Sequence, residues 1–453
     1  MMASSTGRSA WRDNLAELKK PLSPEAVRLE ASRCLYCHDA PCIQACPTSI
    51  DVPRFIRQLA SFDPLGAGKT ILEANPLGHS CARVCPVPVL CEGACVYAAW
   101  NDEPVRIAGL QRYATDAVHS ADALPFDPGP ESDLRVAVVG AGPAGVSCAT
   151  YLRRLGFAVT IFEKRRLPGG LNTFGVAEYK MDRRTSLEEL RLLFRLGCSV
   201  VTNREVGRDL APKKLLRDFD AVFLGPGLAG TRDLGILGED LPGVVDAISF
   251  IERVKARRGR GLPSGERVVV VGGGNTAIDA ATQSVRTGAK RVILAYRRGL
   301  ADMPAYDFEV ALAKTDGVTL LMNAVPKRVL GLRKAESVEF ARTSTKAGRL
   351  IESSTELFTL PCDRVIKAIG QRKENALPRA FGVALNGDGT IKTDPDTLRT
   401  SRRGVYAGGD AVNGGKEVVN AAADGKRAAW GIHRALRPGV PPPPDNEYWI
   451  STL

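Results

Sequence analysis

Two stretches of the chain repeat one hydrophobic plan. Val136–Val139 is a short run of consecutive apolar residues; a glycine-rich turn, a helical pattern and a second apolar run, "FAVTIF", follow it. Val268–Val271 opens the same order again, through "GGGNTAIDAATQSVRTGAKRVILAY". Short unbroken apolar runs that alternate with helical periodicity predict parallel strands buried on both faces and joined by helices. The pattern reads as a duplicated dinucleotide-binding unit and not as a short solenoid repeat.

Upstream the period is helical. "SPEAVRLEASRC" sets Ser23 as an N-cap with Pro24 at the first helical position, and "VPRFIRQLASF" and "IAGLQRYATDAVHS" predict two further helices. "ADALPFDPGPESD", residues 121–133, is a Pro/Gly/Asp-rich linker. The tail "RPGVPPPPDNEYWISTL" is Pro-rich and expected to run extended over the surface.

Each copy carries phosphate-binding chemistry. Gly140, Gly142 and Gly145 form a GxGxxG turn between strand and helix. The first glycine permits the turn, the second admits a pyrophosphate, and the third lets helix and strand pack closely. The helix N-terminus offers free N–H groups to the phosphates. Glu163 ends the next strand, where a carboxylate accepts hydrogen bonds from a ribose diol. In the second copy Gly272, Gly274, Asn275 and Thr276 make the turn, with Ala277 at the third glycine's place. Arg297 and Arg298 stand where an acid would stand, which favours the 2′-phosphate of NADPH, with NADH as the alternative.

Cysteine spacing adds a third chemistry. Cys34-x2-Cys37-x4-Cys42-x3-Cys46-Pro47 and Cys81-x3-Cys85-x5-Cys91-x3-Cys95 hold eight of the eleven cysteines. The first run is close to the bacterial iron–sulfur ligand run that ends in Cys-Pro, whose last cysteine serves a second cluster. Eight cysteines suit two 4Fe–4S clusters; a zinc site is the rival for a Cys-x2-Cys pair. Cys148, Cys198 and Cys362 read as small packing residues. His38 and His79 adjoin the cluster cysteines.

Composition narrows the class. Hydrophobic residues make up 44% of the 453 and charged residues 25%, as in ordinary globular proteins. The net charge of +12 comes without a dominant basic block or nucleic-acid motif, so it is assigned to anionic cofactors and a protein partner, not nucleic acid. No apolar run is long enough for a membrane span. The start lacks an apolar export region, and free thiols suit a reducing compartment, so a cytoplasmic location is expected.

Two further segments resemble the flavin-contacting parts of two-dinucleotide-binding flavoproteins: "RLPGGLN", Arg166–Asn172, and "GVYAGGDAVNGGKEVVNAAADGKRAA", Gly404–Ala429. The resemblance implies FAD in the first copy, with Gly170, Leu171, Gly409 and Asp410 in contact with it. The expected fold class is α/β: an N-terminal α-helical iron–sulfur domain, then two doubly wound dinucleotide-binding domains for FAD and NAD(P)H, the second inserted in the first. The expected boundaries are 1–133 for the cluster domain, 134–242 and 391–453 for the FAD domain, and 243–390 for the NAD(P)H domain.

The whole layout resembles the electron-input half of dihydropyrimidine dehydrogenase and the separate small subunit of its bacterial versions. The match runs from "RCLYCHDAPCIQACPT" through "NPLGHSCARVCP", "LCEGACVY" and "GLQRYATD" to "GGDAVNGGKEVVNAAADGKRAA". The small subunit of glutamate synthase is the close relative, with a cysteine region less like this one. The resemblance implies one cluster on Cys34, Cys37, Cys42 and Cys95. It implies the other on Cys46, Cys85, Cys91 and Gln111, with Cys81 as the rival to Gln111. Lys180 matches a basic residue near the flavin. The implied chemistry is hydride transfer from NAD(P)H to FAD and release of single electrons through the clusters, with no side-chain acid or base. No region of this chain suits a pyrimidine site, so an FMN-containing pyrimidine-reducing subunit in a hetero-oligomer is the expected partner. The expectations set against this are an input module for glutamate synthase or another reductase, and a zinc-stabilised scaffold without flavin.

Overall fold

The computed structural model describes residues 14–122, 124–257, 264–346 and 349–441. The Pro-rich tail from residue 442 onward lies outside the described residues. The helical region comprises α1 (Pro24–Ser32), α2 (Val52–Ala60), α3 (Pro64–Ala74), α4 (Gly78–Val84) and α5 (Ile107–Ser120), with shorter turns between them. Local chemistry starts these helices. Ser23 Oγ accepts from the Ala26 amide at 3.2 Å, Asp51 from that of Arg54 at 3.0 Å, and Asp63 from that of Gly66 at 2.8 Å. Each satisfies an amide that the first turn leaves free, and a proline stands in each first turn. Val52, Phe55, Ile56 and Leu59 then form one buried face of α2, against Val27, Ala31, Leu110 and Ala114.

The alternating region follows as β1 (Arg135–Val139), α6 (Pro143–Arg154), β2 (Ala158–Phe162), α7 (Arg183–Phe194), β3 (Ser199–Val201) and β4 (Ala221–Leu224). It continues as β5 (Val244–Asp246), α8 (Ala247–Arg257), β6 (Arg267–Val271), α9 (Asn275–Arg286), β7 (Arg291–Ala295), α10 (Asp307–Thr315) and β8 (Thr319–Leu321). β9 (Ala324–Leu330), β10 (Ser337–Lys346), β11 (Arg349–Pro361), β12 (Arg364–Lys367), β13 (Val405–Ala407) and α11 (Val418–Leu436) complete it.

The chain packs as two compact units. The first contains the described residues of Lys19–Thr173, Arg183–Leu228 and from Lys373 onward. Its sheet runs β13-β4-β1-β2-β3, all parallel. The helical region belongs to this unit. Here α6 and α11 lie against one another: Ser147 Oγ donates to the Ala422 carbonyl at 2.6 Å, and a Cβ on Gly425 would stand 2.3 Å from the Ala144 oxygen.

The second unit contains Phe174–Asp182, Ala229–Arg372 and the described residues up to Leu18. Its sheet runs β5-β12-β6-β7-β8, again all parallel. An antiparallel sheet, β11-β10-β9, accompanies it. The strand-and-helix reading omitted this sheet, although the alternating burial of β10 is its signal. Thr231 bridges to Gln371 and Leu237 to Arg328 in this unit, while Phe381 and Val383 pack in the first unit's core. The compact segment is therefore Ala229–Arg372, beside the 243–390 drawn from the sequence. The segment Arg166–Asn172 runs into a short helix at Gly170–Phe174. No helix among the described residues is long and apolar enough to cross a membrane.

Gly425→Ala is expected to destabilise the protein by about 1–3 kcal/mol, since the added methyl meets backbone that cannot rotate away. Denaturant unfolding measures it, and unchanged stability would mean that α6 and α11 do not need this close approach.

Candidate functional site

In each sheet the strand that precedes the glycine turn is the one from which the strand order runs both ways, β1 in the first and β6 in the second. Ligands of doubly wound sheets bind at that switch point, beyond the carboxyl ends of the strands. The two turns meet the same steric limit. A Cβ on Gly140 would lie 2.3 Å from the Gly225 oxygen, and one on Gly272 would lie 2.3 Å from the Ala368 oxygen. Both residues also have positive φ, +97° and +149°. The turn tops are open by contrast. Gly142 and Gly274 cap α6 and α9, and a Cβ on either would have nothing closer than 3.9 Å. Each helix N-terminus thus faces room for a phosphate.

The first unit gathers its flavin-segment residues around Gly142. Gly170 approaches so closely that its Cβ would stand 2.9 Å from the Gly142 Cα, and a Cβ on Gly409 would stand 3.0 Å from that of Ala144. Gly145 lies under the turn, Leu171 follows Gly170, and Asp410 opens the short helix after Gly409. Burial pushes the Asp410 carboxyl up, while the Lys416 amide holds its anion. Glu163 is buried and accepts from the Ala141 amide at 2.9 Å and the Arg165 amide at 2.8 Å, so it also closes the glycine turn.

Two residues here escaped the sequence reading. Asn172 is buried, and its Oδ1 has no hydrogen-bond partner among the described residues, as expected of an acceptor meant for a ligand. Asp424 accepts from the Gly409 amide at 2.9 Å, from Asn413 at 3.2 Å and from Arg427 at 2.5 Å, which fixes the Gly409–Asp410 turn. An unpaired acceptor and a buried carboxylate carry no one-dimensional signal.

In the second unit Arg297 and Arg298 follow β7 at the same sheet edge as Gly274. Thr343 Oγ1 donates to the Arg297 carbonyl at 2.7 Å, and the Asn323 amide to that of Arg298 at 3.1 Å. Neither guanidinium has an ion-pair partner among the described residues, and Arg297 is exposed. Asn275 Oδ1 accepts from the Tyr306 amide at 3.0 Å, and Thr276 follows it in the first turn of α9. Lys180 also belongs to this unit. Its Nζ lies 2.8 Å from Asp279 and 2.7 Å from Glu309, and Tyr179 donates to Asp279 at 2.6 Å. Burial alone would lower the Lys180 pKa; the two carboxylates outweigh it and hold the group above the usual lysine range.

The cysteines fall into two groups in the first unit. Cys34, Cys37, Cys42 and Cys95 line one pocket, with Val52, Ile56 and Ile107 in its wall. Burial pushes the Cys42 thiol up to about 12, and the Cys34 and Cys95 charges add to this. Cys34 is raised likewise, by burial and then by Cys37 and Cys95. Cationic iron between such thiolates relieves both penalties, so the residues present fit a cluster.

The second group is Cys46, Cys85 and Cys91. Burial raises the Cys91 thiol, and Cys46 and Cys85 raise it further. The Cys85 amide donates to the Cys81 carbonyl at 3.0 Å, and Cys81 Sγ accepts from Asn75 Nδ2 at 3.2 Å. Gln111 is buried on α5, and its Nε2 donates to the Gly78 carbonyl at 2.7 Å. Both rivals for the fourth place therefore adjoin α4. Among the described residues no three His, Cys, Asp or Glu side chains converge on one metal-ion position. The His79 ring lies tilted against that of His119, centroids 3.9 Å apart, and 3.4 Å from Asp116, which Arg83 also binds. Cys148, Cys198 and Cys362 are packed in apolar cores.

Comparison with known proteins finds two family models along the chain. Residues 134–425 match the pyridine nucleotide-disulphide oxidoreductase family, and residues 11–123 match dihydropyrimidine dehydrogenase domain II, 4Fe–4S cluster. The glutamate synthase [NADPH] small chain of Halomonas elongata is 34% identical over 446 residues, covering 92% of each chain. The NAD-dependent dihydropyrimidine dehydrogenase subunit PreT homolog of Salmonella typhi is 34% identical, covering 93% of this chain and 97% of the relative. Among solved structures, T. acidophilum thioredoxin reductase superposes with a TM-score of 0.54 at 22% identity, covering 66% of this chain and 98% of the other.

Replacing Arg297 and Arg298 by alanine is expected to weaken NADPH use far more than NADH use, each lost charge-assisted contact being worth roughly 1.5–3 kcal/mol, or about 10- to 150-fold. The measurement is kcat/KM for flavin reduction with each nucleotide. Equal losses would mean that the pair does not read a 2′-phosphate.

Proposed function

The chain belongs to the pyridine nucleotide-disulphide oxidoreductase family, and we propose that it is the electron-input subunit of a dihydropyrimidine dehydrogenase. It is an oxidoreductase subunit that uses NAD(P)H, FAD and 4Fe–4S chemistry. The observation that carries the proposal is the packing of two cysteine groups into the same compact unit as the first nucleotide turn. When bound, these groups supply hydride acceptance by FAD and one-electron conduction by two clusters.

The chain's own residues bind and orient. Gly142 and the α6 N-terminus receive the FAD pyrophosphate, Glu163 its ribose, and Asp410 and Asn172 the flavin end. Gly274 with Asn275 and Thr276 receives the nicotinamide dinucleotide, and Arg297 and Arg298 its 2′-phosphate. The relatives' names divide on this point, one NADPH and one NAD. The unpartnered guanidiniums favour NADPH. Cys34, Cys37, Cys42 and Cys95 hold one cluster; Cys46, Cys85, Cys91 and Gln111 hold the other. The Gly78 bond supports Gln111, because it fixes the amide in one orientation. Lys180, which the resemblance sets near the flavin, is locked by Asp279 and Glu309. The protein works in the cytoplasm beside an FMN-containing subunit that reduces uracil or thymine.

A second reading, the small subunit of a glutamate synthase, is favoured by the 34% identity over nearly the full length of such a chain. The acceptor separates the two. The isolated chain is expected to oxidise NAD(P)H with ferricyanide and to leave uracil unreduced. Uracil reduction on adding the FMN-containing subunit supports the first reading; glutamate formation with a glutamate synthase large subunit supports the second. Uracil reduction by the chain alone would end both.

Anaerobic iron and labile-sulfide analysis is expected to give about eight irons per chain, the content of two 4Fe–4S centres. About four irons, or stoichiometric zinc, would sink the two-cluster assignment. Cys42→Ala is expected to block turnover with the partner subunit while nicotinamide still reduces the flavin.

A further inference from the structure

α11 carries a lysine that the functions above leave unused. Lys426 is 3% exposed, and its Nζ donates to the Thr48 carbonyl at 3.1 Å across 378 residues of sequence. Thr48 lies two residues beyond Cys46, and its hydroxyl lies 3.3 Å from the Cys46 sulfur. Burial pulls the Lys426 amine down to about 7; the Cys46 charge works against this and favours the ammonium form, while Arg154 opposes it. A second lysine, Lys19, donates to the Cys85 carbonyl at 2.9 Å. The Cys46 group is thus bonded by lysines at two of its cysteine loops. Near the other group the corresponding cation is Arg57, which stands over the Tyr36 ring at 4.8 Å.

Burying an ammonium is costly unless an anion or strong acceptor compensates. A cluster bound by thiolates is anionic, and one-electron reduction adds one more negative charge, with NAD(P)H as the electron source. A buried cation favours the more negative state, and net charge and hydrogen bonding around the sulfurs set such potentials. We infer that Lys426 sets the reduction potential of the cluster held by Cys46, raising it so that this centre accepts electrons readily. The inference rests on the two-cluster reading above.

The test is an anaerobic redox titration of the full chain, followed by electron paramagnetic resonance, with iron content measured in parallel. Lys426→Gln keeps a donor for Thr48 and removes the charge; Lys426→Arg keeps the charge. Lys426→Gln is expected to move one cluster's midpoint to more negative potential and leave the other in place, whereas Lys426→Arg retains the wild-type values. Unchanged midpoints in Lys426→Gln with iron retained would overturn the inference and spare the two-cluster reading. Equal shifts, or equal iron loss, in both variants would reduce Lys426 to a structural role. A wild-type chain without two cluster signals would remove the reading and the inference together.

Discussion

Two turns of α11, Ala422 to Arg427, hold three parts of the first unit together, and the rest of that unit depends on their close packing. Gly425 admits the Ala144 carbonyl, so α11 lies on the helix that caps the first nucleotide turn. Asp424 fixes the turn at Gly409 and Asp410 from the same segment. Lys426 reaches the other way, to the loop beyond Cys46. A helix that presents a small residue, an anion and a cation in succession meets three neighbours because successive positions point about 100° apart. Sliding α11 by one residue would turn Asp424 away from Gly409 and set a larger side chain against α6. The geometry of the Gly409–Asp410 turn and that of the cysteine loop are therefore set by one helix register.

Buried charge makes this register stringent. An apolar contact loses energy gradually as it slips, whereas a desolvated charge loses most of its compensation once its partner leaves. Asp424 and Lys426 are 5% and 3% exposed. Elsewhere in the unit, Glu189 lies buried against Ser80, accepting from its amide at 3.0 Å and from its hydroxyl, and burial lifts its carboxyl to about 7. α7 is thereby tied to α4, the helix that carries Cys81 and whose Gly78 carbonyl accepts from Gln111. In the second unit Lys180 does the equivalent, anchoring the 174–182 segment to α9 and α10, and Lys255 adds a bond to the Met181 carbonyl.

What was legible in the sequence was local. Ser23 and Pro24 announce a helix start because the cap bond spans three residues, and the glycine turns announce themselves because strand, turn and helix are contiguous. The division of the cysteines was legible only through family resemblance, since Cys95 joins Cys34, Cys37 and Cys42 from the far end of the second run. Asn172, Asp424 and Lys426 were not legible, because what marks each is burial or a partner distant in the chain. The β9–β11 sheet was passed over for another reason. Its strands alternate in burial instead of forming the unbroken apolar runs that identify the two parallel sheets.

The two glycine turns share one architecture, and the proposed function gives them two specificities. Both put a glycine against a carbonyl oxygen at the switch point, and both leave the next helix N-terminus open. Phosphate binding is therefore common to the two copies and cannot distinguish their ligands. The distinction falls at the end of the neighbouring strand, where Glu163 stands after β2 and Arg297 with Arg298 after β7. Glu163 is buried and bonded to two backbone amides, an acceptor already oriented for a sugar hydroxyl. The arginines have only their carbonyls fixed, and their guanidiniums stay available to a phosphate. Under the proposed function, opposite charges at equivalent places in the fold assign the two dinucleotides to their own units without any change of backbone plan.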